Sequence, residues 1–168
     1  MTPLIAALTL FSGGFTAIDG TRYSLANARP TVLLFVMTEC PIVRGYVPEI
    51  KRLVEPKGPR IFLVHVDPTT KSADARAFSR EYGLSYPAVL DKDHALSKRF
   101  KVKAVPTALV LDSSGKAAYV GRIDDRYPSL GVQRKPRKHD LCEALVALRA
   151  GKAISRRTLA IGCAVPDL

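Results

Sequence analysis

The stretch that decides the fold covers residues 31–44 and reads Thr31-Val-Leu-Leu-Phe-Val-Met37, then Thr38-Glu39-Cys40-Pro41-Ile42-Val43-Arg44. Its first half is apolar and rich in branched residues, which is typical of a buried strand. Pro41 suits the first position of a helix, so Cys40 is predicted at a helix N-terminus. The helix dipole and unpaired amides there favour the thiolate over the thiol. We therefore predict a reactive thiol at Cys40; the alternative is a small buried hydrophobe.

The composition is that of one globular domain. The chain has 168 residues, of which 47% are hydrophobic, and a formal net charge of +11. A basic surface attracts anionic partners, but the charge is diffuse apart from Arg134–Lys138 and no nucleic-acid motif accompanies it. We therefore expect no nucleic-acid partner. No apolar run approaches the roughly 20 residues of a membrane span, so no transmembrane segment is expected either.

The beginning of the chain allows two interpretations. An apolar run from Leu4 to Phe11 precedes three small residues at positions 12–14. This resembles the apolar part of a secretory signal, although no Lys or Arg precedes it. Residues 1–14 are thus predicted to be either a signal-like segment or an N-terminal extension. The two interpretations predict different locations for the protein: the bacterial cytoplasm, or an extracytoplasmic compartment if the segment is a signal.

Hydrophobic periodicity and turn residues predict an alternating order of strands and helices. The predicted elements are a hairpin over 15–25 that turns at Asp19-Gly20, a strand over 31–37, a helix over 41–55, a strand over 60–67, a helix over 73–82 capped by Ser72, a strand over 87–90, a helix over 94–100 capped by Asp93, a hairpin of 107–112 with 117–121, and a helix over 141–150 capped by Asp140. This order predicts a mixed α/β fold with one central sheet flanked by helices. We expect one domain over 15–150 and a C-terminal tail over 151–168.

Four features in this order resemble the thioredoxin fold and its redoxin group, which includes the AhpC/TSA-like peroxiredoxins. They are Cys40 at a strand-to-helix junction, Pro48 eight residues later, Val105-Pro106-Thr107 before a buried strand, and the turn Asp112-Ser-Ser-Gly115. The resemblance implies that the bond before Pro106 is cis and faces Cys40. The carbonyl and N–H of Val105 would then be available to pair with a substrate chain.

The active-site motif departs from the well-known members of this group. Thioredoxins carry Cys-X-X-Cys, but Val43 stands at the second position. Typical peroxiredoxins carry Pro-X-X-X-Thr-X-X-Cys, whereas Leu33 replaces the proline and Thr38 lies two residues before Cys40. A local dithiol is therefore excluded. The resemblance implies a thiol-dependent oxidoreductase, either an antioxidant peroxidase or a thiol–disulfide exchanger.

A subgroup of bacterial redoxin-domain proteins is more similar. Its members combine Thr-X-Cys-Pro, a Gly-Arg-Ile-Asp-Asp-X-Tyr segment and a Gly-Cys near the C-terminus. The matching residues are Thr38–Pro41, Gly121–Tyr127 and Gly162-Cys163. This resemblance supports the fold more than it specifies an activity.

The predicted chemistry centres on two of the three cysteines. Cys40 is the candidate nucleophile, and Cys163 is either the thiol that resolves its oxidised form or a packed or free tail residue. Cys142 lies on an amphipathic helix, where core packing is expected. Arg44 would favour the Cys40 thiolate and Glu39 would oppose it.

Further residues are predicted to shape the site: Thr38, Pro41, Arg44, Val105, Pro106 and Arg122. A salt-bridged loop is the alternative role for Arg122. The three histidines are scattered without metal-ligand spacing, so we expect no metal and no cofactor. The expected partners are a peroxide or protein disulfide substrate and an external thiol reductant. The alternative function is a non-catalytic binding module that docks a partner through the Pro106 face.

Overall fold

The computed structural model describes residues 13–53, 55 and 57–166. The strands are β1 (Gly14–Thr16), β2 (Arg22–Ser24), β3 (Thr31–Val36), β4 (Arg60–His65), β5 (Ala88–Leu90), β6 (Ala104–Val105), β7 (Thr107–Leu111), β8 (Ala117–Gly121), β9 (Arg156–Arg157) and β10 (Cys163–Ala164). The helices are α1 (Pro41–Lys51), α2 (Ser72–Tyr82), α3 (Ala95–Phe100) and α4 (Asp140–Arg149). None of the described helices is long and apolar enough to cross a membrane.

The central sheet has six strands in the order β5-β4-β3-β7-β8-β9. Strand β3 is parallel to β4 and antiparallel to β7, and all six of its residues are buried. A strand covered on both faces reads as a continuous apolar run, as this one does. The predicted mixed α/β fold is confirmed, with parallel pairing across the helical connections and antiparallel pairing at the β7–β8 hairpin.

Helix α1 carries the start of the candidate site. Cys40 is its N-cap and Pro41 its first residue, as predicted. The helix is shorter than predicted and ends at Lys51 rather than near residue 55. The N–H groups of Arg52 and Leu53 bond three residues back instead of four. Such bonds tighten the last turn and end the α-helical pattern.

The predicted caps of the other helices are wrong in three cases. Lys71 rather than Ser72 is the N-cap of α2, and its N–H donates to the Asp74 carboxylate at 2.8 Å. The N-cap of α3 is His94 rather than Asp93, although the Asp93 carboxylate accepts the N–H of Ala95 at 3.3 Å. The next two N–H groups, of Leu96 and Ser97, donate to the carboxylate of Asp91 at 2.9 and 2.8 Å.

Helix α4 is the third case. Asp140 is its first residue rather than its N-cap, and the buried Asp140 carboxylate binds Arg122 and Arg156. A single chain segment does not reveal such distant partners, so short-range cap patterns were misleading here.

The N-terminal hairpin pairs β1 with β2, as predicted, but its turn is longer. The Ala17 N–H donates to the Thr21 carbonyl, which leaves three residues in the loop rather than two. Gly20 lies at the end of that loop with φ of 86°, the left-handed conformation that glycine adopts readily. The predicted segment over residues 1–14 falls mostly outside the described residues.

The C-terminal tail forms two short strands that sequence patterns did not predict. Strand β9 adds to the edge of the central sheet, parallel to β8. Strand β10 pairs antiparallel with β6, the two residues that precede Pro106. The tail is thereby drawn across the sheet end that carries Cys40.

Candidate active site

Cys40 and Cys163 are joined by a disulfide in the structure. Their Cα atoms lie 6.1 Å apart although 123 positions separate them in sequence. Cys40 is 1% exposed and its N–H donates to the carbonyl of Met37 at 3.2 Å. The junction between β3 and α1 therefore holds the Cys40 sulfur at the N-terminus of α1, where the first amides of a helix have no internal partner.

The Val105–Pro106 peptide bond is cis, as the resemblance implied. Val105 is fully buried, and its carbonyl oxygen lies 3.7 Å from the Cys40 sulfur. The side chain of Thr107 donates a 2.6 Å hydrogen bond to the Ala104 carbonyl. The segment before β7 thus places a backbone carbonyl directly beside the Cys40 sulfur.

The tail lies against the same segment as an added strand. Cys163 is the register partner of Val105, and Ala164 is that of Ala104. The next residue, Val165, is 6% exposed and donates its N–H to the Lys103 carbonyl at 3.0 Å. Cys163 is therefore held by backbone pairing as well as by its bond to Cys40.

Thr38, Glu39 and Arg44 form a small polar cluster at the beginning of α1. The Arg44 guanidinium donates to the Thr38 carbonyl at 3.0 Å and to the Glu39 carboxylate at 3.2 Å. The side chains of Arg44 and Glu39 are 43% and 82% exposed, so this is a solvent-screened ion pair. Pro41 is exposed at the first turn. The contacts of Arg44 are with this loop rather than with the sulfur.

Arg122 lies at the end of β8 and binds Asp140 at 2.7 Å. That hydrogen bond raises the pKa of Arg122 above its ordinary value. Its backbone N–H donates to the Thr158 hydroxyl, and its carbonyl accepts from Tyr119. Among the described residues, its hydrogen bonds tie β8 to α4 and the tail, which is the salt-bridged arrangement given above as the alternative.

A buried network that sequence reasoning missed anchors α1 from its other side. Asp124 accepts a 2.8 Å hydrogen bond from the Tyr46 hydroxyl and two-pronged contacts from Arg126. Arg126 also binds Glu49 at 2.9 Å, and its guanidinium lies 4.6 Å from the centre of the Tyr46 ring. The segment 121–127 was visible as a motif, but its partners on α1 were not.

The network also sets the charge state of its members. Burial raises the pKa of Glu49, but the hydrogen bond and charge of Arg126 outweigh burial and lower it overall. Burial, followed by the hydrogen bond with Asp124, raises the pKa of Tyr46. Tyr46 is therefore a neutral donor at neutral pH. A neutral hydroxyl and a paired guanidinium satisfy the Asp124 carboxylate, as a buried charge requires.

Cys142 is free and exposed, so the expectation that it packs in the core is wrong. It lies on the outer side of α4, while its neighbours Leu141 and Ala144 are buried. Within the described part of the chain, no group of three or more His, Cys, Asp and Glu side chains is arranged to hold a metal ion.

Comparisons with known proteins agree with this fold. The chain is 28% identical over 109 residues to the methylamine utilization protein MauD of Methylobacillus flagellatus, covering 60% of this chain and 49% of that protein. It is 27% identical over 103 residues to the thioredoxin-like protein YneN of Bacillus subtilis, covering 58% and 60%. The chain thus spans about half to three fifths of the length of these relatives.

Solved structures show the same architecture over more of the chain. An uncharacterized conserved protein from Geobacillus kaustophilus superposes with a TM-score of 0.76 at 23% identity, covering 94% of this chain and 92% of that one. A secreted disulfide oxidoreductase of Mycobacterium tuberculosis, homologous to DsbE of E. coli, gives 0.60 at 15% identity, covering 84% and 99%. The AhpC/TSA family model matches residues 8–120. The chain therefore belongs to the AhpC/TSA family of redoxins and has the thioredoxin-like fold.

Proposed function

We propose that the protein is a thiol–disulfide oxidoreductase that alternates between a Cys40–Cys163 disulfide and two free thiols. One observation carries this proposal: among the described residues, strand β10 pairs with the segment beside Cys40, so Cys163 meets Cys40 as part of a docked strand. A cysteine that was merely packed in the tail would need neither that pairing nor that partner. The names of YneN and of the mycobacterial oxidoreductase describe proteins of related chemistry.

The proposed reaction has two exchange steps. The Cys40 thiolate attacks one sulfur of a substrate disulfide, forms a mixed disulfide and releases one substrate thiolate. The Cys163 thiolate then attacks the Cys40 sulfur, which breaks the mixed disulfide and releases the second substrate thiolate. Two electrons have passed to the substrate, whose thiolates take up protons from solvent. An external dithiol then reduces the Cys40–Cys163 disulfide by two exchange steps of the same kind, and the dithiol becomes oxidised.

The surrounding residues have positioning roles in this proposal. Pro41 begins α1 and so orients its N-terminal dipole toward the Cys40 sulfur, which favours the thiolate as leaving and attacking group. Val105 and Pro106 supply the strand edge that aligns an incoming chain. Arg44 and Thr38 hold the loop before Cys40, and Arg122 holds the end of β8 from further away.

The contacts of Arg44 favour disulfide exchange over peroxide reduction. A peroxidase must stabilise the oxygen anion that leaves when the thiolate is oxidised to a sulfenic acid. Arg44 is the cation nearest to Cys40 in sequence, and it is engaged by Glu39 and the Thr38 carbonyl. Cys40 itself is 1% exposed, beneath the tail. The peroxidase and the non-catalytic binding module are the two alternatives that experiment must separate.

Insulin reduction by dithiothreitol, followed in the presence of the full chain, tests the proposal. We expect Cys40→Ser to abolish the catalysed rate. Pre-reduced Cys163→Ser, mixed with insulin after the dithiothreitol has been removed, should stop after the first step, with a mixed disulfide at Cys40 visible by mass spectrometry. Cys142→Ser is the matched control, because this exposed thiol has no part in the cycle and its removal should leave the rate unchanged.

The same variants with hydrogen peroxide separate the alternatives. Consumption of peroxide that depends on Cys40, without insulin reduction, would replace the proposal with a peroxidase. A Cys40→Ser protein that reduces insulin as fast as wild type would remove Cys40 from the reaction altogether. Inactivity toward both substrates, with partner binding retained in Cys40→Ser, would leave the binding module.

A further inference from the structure

The segment Gly162–Val165 occupies the strand edge of β6, which lies beside Cys40. Cys163 and Ala164 pair with Val105 and Ala104, and the Val165 N–H continues the pairing to the Lys103 carbonyl. Backbone pairing with an exposed strand edge is a general way of binding an extended peptide. The tail is therefore bound to its own domain in the manner of a peptide ligand.

Gly162 lies directly against the backbone of Val105 and Pro106. A Cβ atom at this position would overlap the Val105 carbonyl oxygen, and it would lie 2.6 Å from the carbonyl carbon and 3.2 Å from the Pro106 nitrogen. These neighbours are backbone atoms of a buried segment, so they cannot move aside as a flexible side chain would. Gly162 is not one of the glycines with a positive φ. A glycine is therefore required before Cys163 by lack of space for a side chain rather than by backbone conformation.

Val165 provides a second point of recognition on the other side of Cys163. Its side chain is 6% exposed and belongs to the hydrophobic core cluster. Removal of this apolar side chain from water favours the docked tail, so this position anchors the segment. Ala164 lies between Cys163 and Val165 and is exposed, so its side chain does not contribute to recognition.

We propose that the tail is an internal surrogate of the substrate and competes with it for this edge. The substrate class is then an extended polypeptide segment in which glycine precedes the reactive cysteine and an aliphatic residue follows it by two positions. This inference rests on the proposed exchange activity. It specifies which substrate segments the strand edge selects. It also requires the reduced tail to leave that edge before a substrate segment can pair there.

Two peptides test the selectivity. Each copies residues 160–166, one with the natural glycine and one with alanine before the cysteine, and each carries thionitrobenzoate on the cysteine as a mixed disulfide. In a Cys142→Ser/Cys163→Ser protein, the Cys40 thiolate attacks the peptide sulfur and thionitrobenzoate leaves as a coloured thiolate. We expect the glycine peptide to react at least about fivefold faster, which converts to about 1 kcal/mol, the lower end of the cost of forcing an extra methyl group into a close-packed contact.

Two controls make the result specific. Reaction of both peptides with free glutathione corrects for any intrinsic difference between them. The mixed disulfide of mercaptoethanol with thionitrobenzoate needs no strand edge and reports the reactivity of Cys40 alone. If this small reagent also fails to react, the proposed function fails. If it reacts but the two corrected peptide rates are equal, the proposed function stands and the selectivity is refuted.

Competition by the tail has its own test in the same protein background. Gly162→Ala should weaken tail docking and speed the reaction of the glycine peptide at least about fivefold, by the reasoning used for the peptides. Val165→Ser should act in the same direction by removing the apolar anchor, and it leaves the contact with Val105 untouched. Circular dichroism verifies that both variants are folded. Peptide rates unchanged in both folded variants would overturn the competition.

Discussion

Protonation of His65 is expected to destabilise the protein between about pH 6.5 and about pH 4. His65 ends β4, is fully buried, and packs edge-on against Phe78 with ring centres 5.8 Å apart. Neither ring nitrogen has a hydrogen-bond partner among the described residues. Burial without a partner disfavours the charged imidazolium and lowers the pKa of His65 from 6.5 to about 4.

The sign and size of the effect follow from this shift. Between the folded and unfolded pKa values the unfolded chain binds a proton at His65 and the folded chain does not, so the free energy of unfolding falls as pH falls. Each unit is equivalent to about 1.4 kcal/mol, which gives about 3 kcal/mol over the whole interval and about 2 kcal/mol from pH 7 to pH 5. The stability is fully present above about pH 6.5.

Urea denaturation at several pH values from about 7 to about 5 measures this dependence. His65→Leu removes the titrating group and keeps an apolar side chain of similar size, so its unfolding free energy should lose about 2 kcal/mol less than wild type over that range. His139→Gln is the matched control, because His139 is exposed and its removal should leave the wild-type slope. The pKa values of Glu49, Asp112 and Asp125 are lowered, so these carboxylates titrate below the range. Equal slopes in wild type and His65→Leu would refute the reasoning.

Three further predictions concern the site and its supports. Reduction of the Cys40–Cys163 bond, which closes a loop of 123 residues, should lower the unfolding free energy by up to about 5 kcal/mol in guanidinium titrations, and an unchanged midpoint would contradict this. Asp124→Asn leaves the Arg126 guanidinium without its buried carboxylate and should cost about 3–5 kcal/mol by urea denaturation; a loss below about 1 kcal/mol would mean that Glu49 suffices. Tyr46→Phe removes one donor to the same carboxylate and should cost about 1 kcal/mol in the same assay, with no change as the opposing result.

The elements around Cys40 were predictable because their signals are local. Strand β3 is an uninterrupted apolar run, and Pro41 directly follows the residue that caps α1. The central mixed sheet then follows from the order of strands and helices, since helical crossovers join parallel neighbours and a short turn joins antiparallel ones. The errors at the starts of α3 and α4 have the opposite origin. The Asp91 carboxylate caps α3 from five and six residues away, beyond the spacing of any common cap motif.

The partners of the 121–127 segment also lay beyond sequence reasoning. The run of charges in this segment is equally typical of a salt-bridged loop, and that pattern does not reveal that Asp124 and Asp125 are both buried. Asp125 accepts backbone N–H groups from Arg137 and Lys138 and so orders the basic segment. These backbone donors lower the pKa of Asp125. Burial of a charge depends on which donors the fold brings to it, and that information is spread over distant parts of the chain.

The sequence by itself determined a thiol at the start of a helix, on a thioredoxin-like sheet, with no second cysteine within the next turn. Hydrophobic periodicity and Pro41 predict the thiol at the helix start, because they act over a few residues, and the thioredoxin-like sheet was implied by the resemblance that four motifs carry. Only the tertiary structure decided which thiol meets Cys40. Strands β6 and β10 have two residues each, too few to carry a periodic signal, and they pair because the rest of the fold brings position 163 to position 105. Long-range backbone pairing, rather than local preference, thus defines the partner of the reactive cysteine.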